Sequence, residues 1–311
     1  MTHWTAAQIP QQHGKLAYVT GANSGIGFHT TLELARAGTT VIMACRDQVK
    51  AEAARKKILA EIPQAQLEIA QLDLASLASA HAAAQSFLAS NRCLDLFIDN
   101  AGIMALPERR VSPDGSELQL ATNHFGHFAL TGLMLPAILA APASRIVTVS
   151  SIAYRGATMD FTNLDWERGY QPWAAYRRTK LANLLFGFEL HRRLSRAQSP
   201  ATSFIVHPGV SHTNLFAAGP GSGGGFLAKI IPPFIALVAQ SDARGALPTL
   251  YAATSPDAQA GRFYGPDGFR QMRGYPVEVR AEQQAYDESL AAQLWQVSEQ
   301  RTGVHYLLPA S

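Results

Sequence analysis

Short apolar runs alternate with longer mixed stretches along most of the chain. Residues 15–20 (KLAYVT), 40–45 (TVIMAC), 67–72 (LEIAQL), 94–99 (LDLFID), 145–150 (RIVTVS), 202–207 (TSFIVH) and 261–265 (GRFYG) suit buried strands. Residues 47–62, 76–90, 116–140, 173–196 and 241–253 read as helices, as does the stretch that follows 15–20 and runs to Ala37. Gly38 stops that helix and Pro63 ends the next. Strands alternating with helices predict βαβ units, and right-handed crossovers place the helices on both faces. The expected fold is α/β, a doubly wound parallel sheet of about seven strands.

No linker divides the chain, so residues 1–311 are expected to form one domain. Residues 1–13 read as a loose N-terminal arm, and 266–311 as a C-terminal extension ending in a helix near 279–300. Two long segments interrupt the rhythm, 152–172 and 210–240. Such segments at the carboxyl ends of strands build ligand sites in open α/β sheets. The glycine run GPGSGGGF (219–226) predicts a joint, and the apolar stretch after it makes 211–240 the expected substrate lid.

Composition narrows the classes. The 311 residues are 47% hydrophobic and 16% charged, with a formal net charge of +3. A chain this apolar can offset its ordering entropy, which excludes disorder. The pairs Arg109-Arg110, Arg177-Arg178 and Arg192-Arg193 are short and scattered, so no nucleic-acid partner is expected. Cys45 and Cys93 lie in apolar stretches and read as buried free thiols of a reducing compartment. The N-terminus has no signal-peptide core, and 226–239 is interrupted by Lys229, Pro232 and Pro233 and is too short to span a bilayer. The expectation is a soluble cytoplasmic protein without a membrane span.

The first apolar run ends in Thr20-Gly21-Ala22-Asn23-Ser24-Gly25-Ile26-Gly27 and opens a helix. Backbone amides at a glycine turn and helix N-terminus bind phosphate, which makes this a Rossmann-type dinucleotide turn. The second run ends Ala44-Cys45-Arg46-Asp47. Arg46 there favours a 2′-phosphate and hence NADP. A register slip of two residues would instead place Asp47 on a ribose hydroxyl and favour NAD.

Tyr176 and Lys180 are four apart on an expected helix and share a face. An ammonium beside a phenol favours the phenolate, and an unperturbed phenol near 10 is too weak a base at neutral pH.

With these motifs in order, residues 14–265 resemble the classical short-chain dehydrogenase/reductase family. The resemblance rests on the TGANSGIG turn, Asp73-Leu74, Asp99-Asn100-Ala101-Gly102, Asn123, Val149-Ser150-Ser151, the Tyr176/Lys180 pair and His207-Pro208-Gly209. The wording is most similar to the retinol-dehydrogenase-like branch, in VIMACRD (41–47), TNHFGHFALTGLMLP (122–136), AYRRTKLANLLF (175–186) and HPGVSHTNL (207–215). The spacing of 25 residues from Ser151 to Tyr176 also fits that branch.

The resemblance implies a tetrad. Asn123 would hold a proton-relay water, and Ser151 would bond the carbonyl oxygen. Tyr176 would be the general acid or base, and Lys180 would lower its pKa and bond the nicotinamide ribose. It further implies that Gly21, Asn23, Ser24, Gly25, Ile26 and Gly27 hold the pyrophosphate side of NADP. Asp73 and Leu74 would lie near the adenine, and Asn100, Ala101 and Gly102 along the cofactor. Pro208, Gly209, Val210 and Thr213 would face the nicotinamide or pyrophosphate. Asp99 departs from the family's usual Asn-Asn-Ala-Gly, with a small expected effect. Family habit suggests a homodimer or homotetramer through 173–196, unless the C-terminal extension blocks it.

His124 and His127 are three apart, but no third ligand completes a site, so they read as packing or capping residues and no metal is expected. The aromatics of 152–173 fit a pocket lining and an anchor for the insert equally. No G-x-S-x-G elbow occurs, so Ser151 is not an esterase nucleophile. The function expected is an NADP-dependent carbonyl reductase or alcohol dehydrogenase for a hydrophobic ketone, aldehyde or secondary alcohol. The alternatives are the same enzyme with NAD, or a non-catalytic cofactor-sensing protein.

Overall fold

Seven apolar runs form strands where the sequence places them. They are β1 (Leu16–Thr20), β2 (Thr40–Cys45), β3 (Leu67–Gln71), β4 (Leu96–Asp99), β5 (Arg145–Val149), β6 (Thr202–Val206) and β7 (Phe263–Pro266). These seven are parallel, in the order β3-β2-β1-β4-β5-β6-β7. An eighth strand, β8 (Pro276–Glu278), pairs antiparallel with β7 at the edge and adds to the seven expected. It is three residues long and opens on proline, which suits an edge and leaves no pattern to read. The computed structural model describes residues 3–210 and 240–308. Thr213 and the expected lid, apart from Gln240, lie outside the described residues.

The inner strands are buried on both faces, as a sheet covered on both sides requires, whereas the edge strands β3 and β8 are largely not. Val19, Met43 and Ile98 point into one core with Leu34 and Leu250. Tyr18, Ile42 and Phe97 point into the other with Phe128, Phe186 and Trp295. The covering helices are α1 (Gly25–Arg36), α2 (Gln48–Glu61), α3 (Leu77–Leu88), α4 (Gly126–Ala140), α5 (Pro172–Arg196), α6 (Leu247–Thr254) and α7 (Glu288–Thr302). The stretch read as one helix over 116–140 is a turn at Leu118–Leu120, a π-helical turn at Ala121–Phe125 and then α4. The order of strands reverses between β1 and β4, so their carboxyl ends flank the crevice where such sheets bind ligands.

Residues 3–13 are not loose. Trp4 sets its edge on Tyr251 at 5.3 Å, Ile9 packs on the first core, and the Gln12 amide bonds the Ala37 carbonyl at 2.8 Å. Cys45 is a buried free thiol as expected, whereas Cys93 is exposed. The insert 152–172 is held by its aromatics. Tyr154 is buried and accepts the Glu282 amide, Tyr170 bonds the Leu106 carbonyl, and Arg178 stacks over Trp166 at 4.2 Å. Trp173 alone among them stays about half exposed, edge-on to Tyr176. At the other end of the chain, α7 lies across α5 and α4 through Trp295, which meets Phe128, Phe186 and Tyr306.

Candidate active site

The glycine turn takes shapes that side chains resist. Gly21 and Gly25 sit at φ +67° and +56°, and a Cβ on Gly27 would fall 2.3 Å from the Gly21 carbonyl oxygen. Ser24 caps α1 through its extended backbone, but its side chain makes no capping bond, and the first turn holds no acid. The first amides of α1 are therefore not answered by a side-chain cap, which suits an anionic ligand. Ile26 is buried beneath the turn. The Ala22 and Asn23 amides face the Cys45 thiol, which burial pushes up to about 11.

Neighbouring strand ends close the cradle. Asn100 Nδ2 donates to the Thr20 carbonyl at 2.8 Å, and the amides of Asn100 and Ala101 donate to Thr20 Oγ1. Arg46 is exposed at the end of β2. Asp47 instead caps α2, accepting the Lys50 amide at 3.0 Å, which holds its carboxyl below the usual range. Asp73 Oδ1 accepts the Ala75 amide, and Leu74 is buried against Gly126, whose Cβ would fall 2.2 Å from the Leu74 carbonyl oxygen.

On the far side of the crevice, Tyr176, Lys180 and Asn183 share one face of α5. The Ser150 hydroxyl donates to the Lys180 carbonyl at 2.7 Å and ties this helix to β5. Lys180 Nζ and Asn183 Nδ2 both donate to the Val149 carbonyl at 3.1 Å. Ser151 follows directly, its Oγ accepting the Ala153 amide at 3.1 Å and interacting with the Tyr176 phenol. Asn123 clamps the remaining parts. Its Oδ1 accepts the Ile103 amide at 2.8 Å, while Nδ2 donates to the Ile103 carbonyl and to Thr179 Oγ1 at 3.0 Å. Thr179 in turn donates to the Tyr176 carbonyl. Gly102 lies against this clamp, where a Cβ would meet Asn123 Oδ1 at a tight 3.1 Å. The fold thus brings Asn123, Ser151, Tyr176 and Lys180 to one place, beside the cradle.

Burial governs the charges. It pushes Tyr176 up to about 12, only partly offset by Ser151, and Lys180 down to about 8. Lys180 Nζ lies 5.9 Å from the Tyr176 ring centroid. Desolvation dominates the phenol, and the bond that opposes it comes from Ser151 and not from the ammonium.

Gly209 at φ +70° turns the chain after β6. The Val210 amide bonds the Met272 carbonyl at 2.7 Å, and Gln240 Nε2 bonds the Pro208 carbonyl at 2.6 Å. Asn183, Thr179, Gln240 and Met272 escaped the sequence reading, because each acts through partners distant in the chain. His124 bonds Ser298 at 2.8 Å and His127 bonds Thr20 at 2.9 Å. Among the described residues no group of three could hold a metal.

Comparison with known proteins matches residues 15–164 to the short chain dehydrogenase model. Retinol dehydrogenase 13 of Homo sapiens is 38% identical over 301 residues, covering 96% of this chain and 86% of the relative. The chain belongs to the short-chain dehydrogenase family, in its retinol-dehydrogenase-like branch. It is accordingly an NAD(P)-dependent oxidoreductase of CH–OH groups. A crystal structure of an uncharacterized Mycobacterium paratuberculosis protein superposes on this short-chain dehydrogenase with a TM-score of 0.81 at 41% identity, covering 99% of this chain and 100% of that one. An NADP-bound structure from Beutenbergia cavernae has a TM-score of 0.64 at 24% identity. It covers 81% of this chain and 95% of its own, and shares the fold. No described helix of the dehydrogenase is long and apolar enough to cross a membrane.

Proposed function

We propose that this dehydrogenase is an NADP-dependent carbonyl reductase or alcohol dehydrogenase acting on a hydrophobic ketone, aldehyde or secondary alcohol. The observation that carries the reading is the placement of Ser151, Tyr176 and Lys180 beside a glycine cradle with uncapped helix amides. The nicotinamide cofactor would supply or accept the hydride. The glycine turn, Asn100 to Gly102 and Pro208 to Val210 would hold it. Ser151 would orient the substrate oxygen. Tyr176, a phenol that burial keeps protonated at neutral pH, would donate the proton during reduction. Lys180 would hold the nicotinamide ribose, while Asn123 keeps the helix carrying Tyr176 against the Ile103 loop.

Two observations support the finer choices. Asp47 is committed to capping α2, while Arg46 is exposed at the strand end, which favours a 2′-phosphate. Met104, Ala105 and Ala153 pack around Tyr176, with Trp173 at the rim, which favours an apolar substrate. The test is a turnover screen of ketones, aldehydes and alcohols with both cofactors, repeated with Arg46→Ala. Turnover of apolar substrates with NADPH, and a loss in Arg46→Ala confined to NADP(H), is expected. Preference for NADH in the parent protein contradicts the cofactor assignment. NADPH binding without any turnover would favour a sensing role.

A further inference from the structure

His127 is fully buried between the cofactor cradle and the Asn123 clamp. Its Nδ1 lies 3.1 Å from the carbonyl oxygen of Asn123. A carbonyl only accepts, so Nδ1 carries the ring proton. Desolvation keeps the ring neutral, pushing its pKa down to about 3. Nε2 is then a bare acceptor, and Thr20 Oγ1, 2.9 Å away, donates to it. The same hydroxyl oxygen accepts the amides of Asn100 at 2.9 Å and Ala101 at 3.0 Å. The Ile98 carbonyl, at 3.3 Å, is the other acceptor within reach of its proton, but the shorter contact to Nε2 takes it, and the two amides fill both lone pairs.

The bonds therefore run one way, from the Asn100 and Ala101 amides through Thr20 and the His127 ring to the Asn123 main chain. Three other titratable groups face the ring, and one of them, His124, is itself held neutral by burial, with the charge of either histidine opposing that of the other. Asp99 Oδ1 is 3.9 Å from Nε2, and burial favours its neutral acid form; the Lys180 charge opposes ring protonation. Both nitrogens of a buried ring must be satisfied, so what matters is which partners they take. Here each nitrogen holds a different half of the site.

We propose that His127 is a positioning residue, fixing the cofactor-holding turns relative to Asn123 and, through Asn123 and Thr179, to the helix that carries Tyr176. This rests on the oxidoreductase reading of the same site.

The test separates the two links. His127→Asn keeps a donor near Nδ1 but cannot reach Thr20. His127→Gln keeps an acceptor near Nε2 but loses the bond to Asn123. Thr20→Val removes the shared hydroxyl, and Thr20→Ser keeps it. The dissociation constant of the better-bound nicotinamide cofactor is read by tryptophan fluorescence, alongside kcat and Tm. Since each broken bond strands a buried partner, Thr20→Val and His127→Asn are expected to weaken cofactor binding about 10-fold. Thr20→Ser should restore binding. His127→Gln should bind within about threefold of the parent yet lose about 10-fold in kcat. Variants that lower Tm while leaving both constants unchanged would overturn the proposal. Ring nitrogen NMR gives a readout independent of activity. The neutral Nδ1-protonated form should persist from about pH 8 to 5, and an Nε2-protonated or titrating ring would overturn the proposal. A parent protein that binds neither cofactor would instead sink the oxidoreductase reading, while the NMR result still decides the bonding.

Discussion

Lys180 Nζ donates to the main-chain carbonyl of Val149 at 3.1 Å, so the ammonium is fixed at the end of β5, one residue from Ser150 and two from Ser151. Burial costs this charge much of its hydration and pushes its pKa down to about 8. A buried cation with one carbonyl partner contributes little to stability, and replacing it with an apolar chain of similar length relieves the desolvation. Lys180→Met is therefore expected to keep or raise Tm. Turnover should fall by roughly 100-fold or more if Lys180 holds the nicotinamide ribose as proposed. Melting curves and kcat/KM measured on one preparation check both halves.

Asp99 and three buried histidines set opposite pH slopes. Asp99 lies under the Asn100 turn, bonded through one oxygen to Thr131, and burial pushes its pKa well above the carboxylate range. The folded protein keeps a proton that the unfolded chain releases near pH 4. Stability is lost as pH rises from there toward the folded pKa, by up to about 1.4 kcal/mol per pH unit. Asp99→Asn should raise Tm at pH 7 and lose that advantage near pH 4. An equal shift at both would show that the proton is not the cause.

His124, His127 and His207 are held neutral by burial, each pushed down to about 3. The unfolded chain takes up these protons below about 6.5 and the folded one does not. Their contribution is present above that pH and is lost on acidification toward 3. Tm should drop steadily below about pH 6.5, and a flat profile from pH 7 to 5 would contradict the assignment.

Trp295 on α7 closes the second core against Phe128, Phe186 and Tyr306, with Arg193 stacked over it at 4.1 Å. It is 2% exposed. Trp295→Ala should cost about 3–5 kcal/mol in chemical denaturation. Because α7 covers α5 and part of α4, the parent protein should run as a monomer by light scattering, and the variant should associate.

The parallel sheet was legible because its strands are apolar runs bounded by glycine and proline, and the site because its motifs are local: a glycine turn, a Tyr/Lys pair on one helix face, a serine after a strand. The missed parts depend on distance along the chain. His127 reads as a packing histidine until the fold brings in Thr20, 107 residues away. β8 is too short to show a period, and residues 4–9 look like an arm until Tyr251 meets Trp4. Local sequence favours a phenol acidified by its neighbouring lysine, but only the packed site shows how completely both are buried.

The most direct test of the account is Tyr176→Phe, which removes one oxygen from a buried ring and leaves its packing intact. With NADPH and an apolar ketone accepted by the parent protein, turnover should fall at least 100-fold while cofactor affinity stays within about threefold. Retention of most of the parent turnover would contradict the assignment of Tyr176 as the proton donor, and with it the proposed reaction.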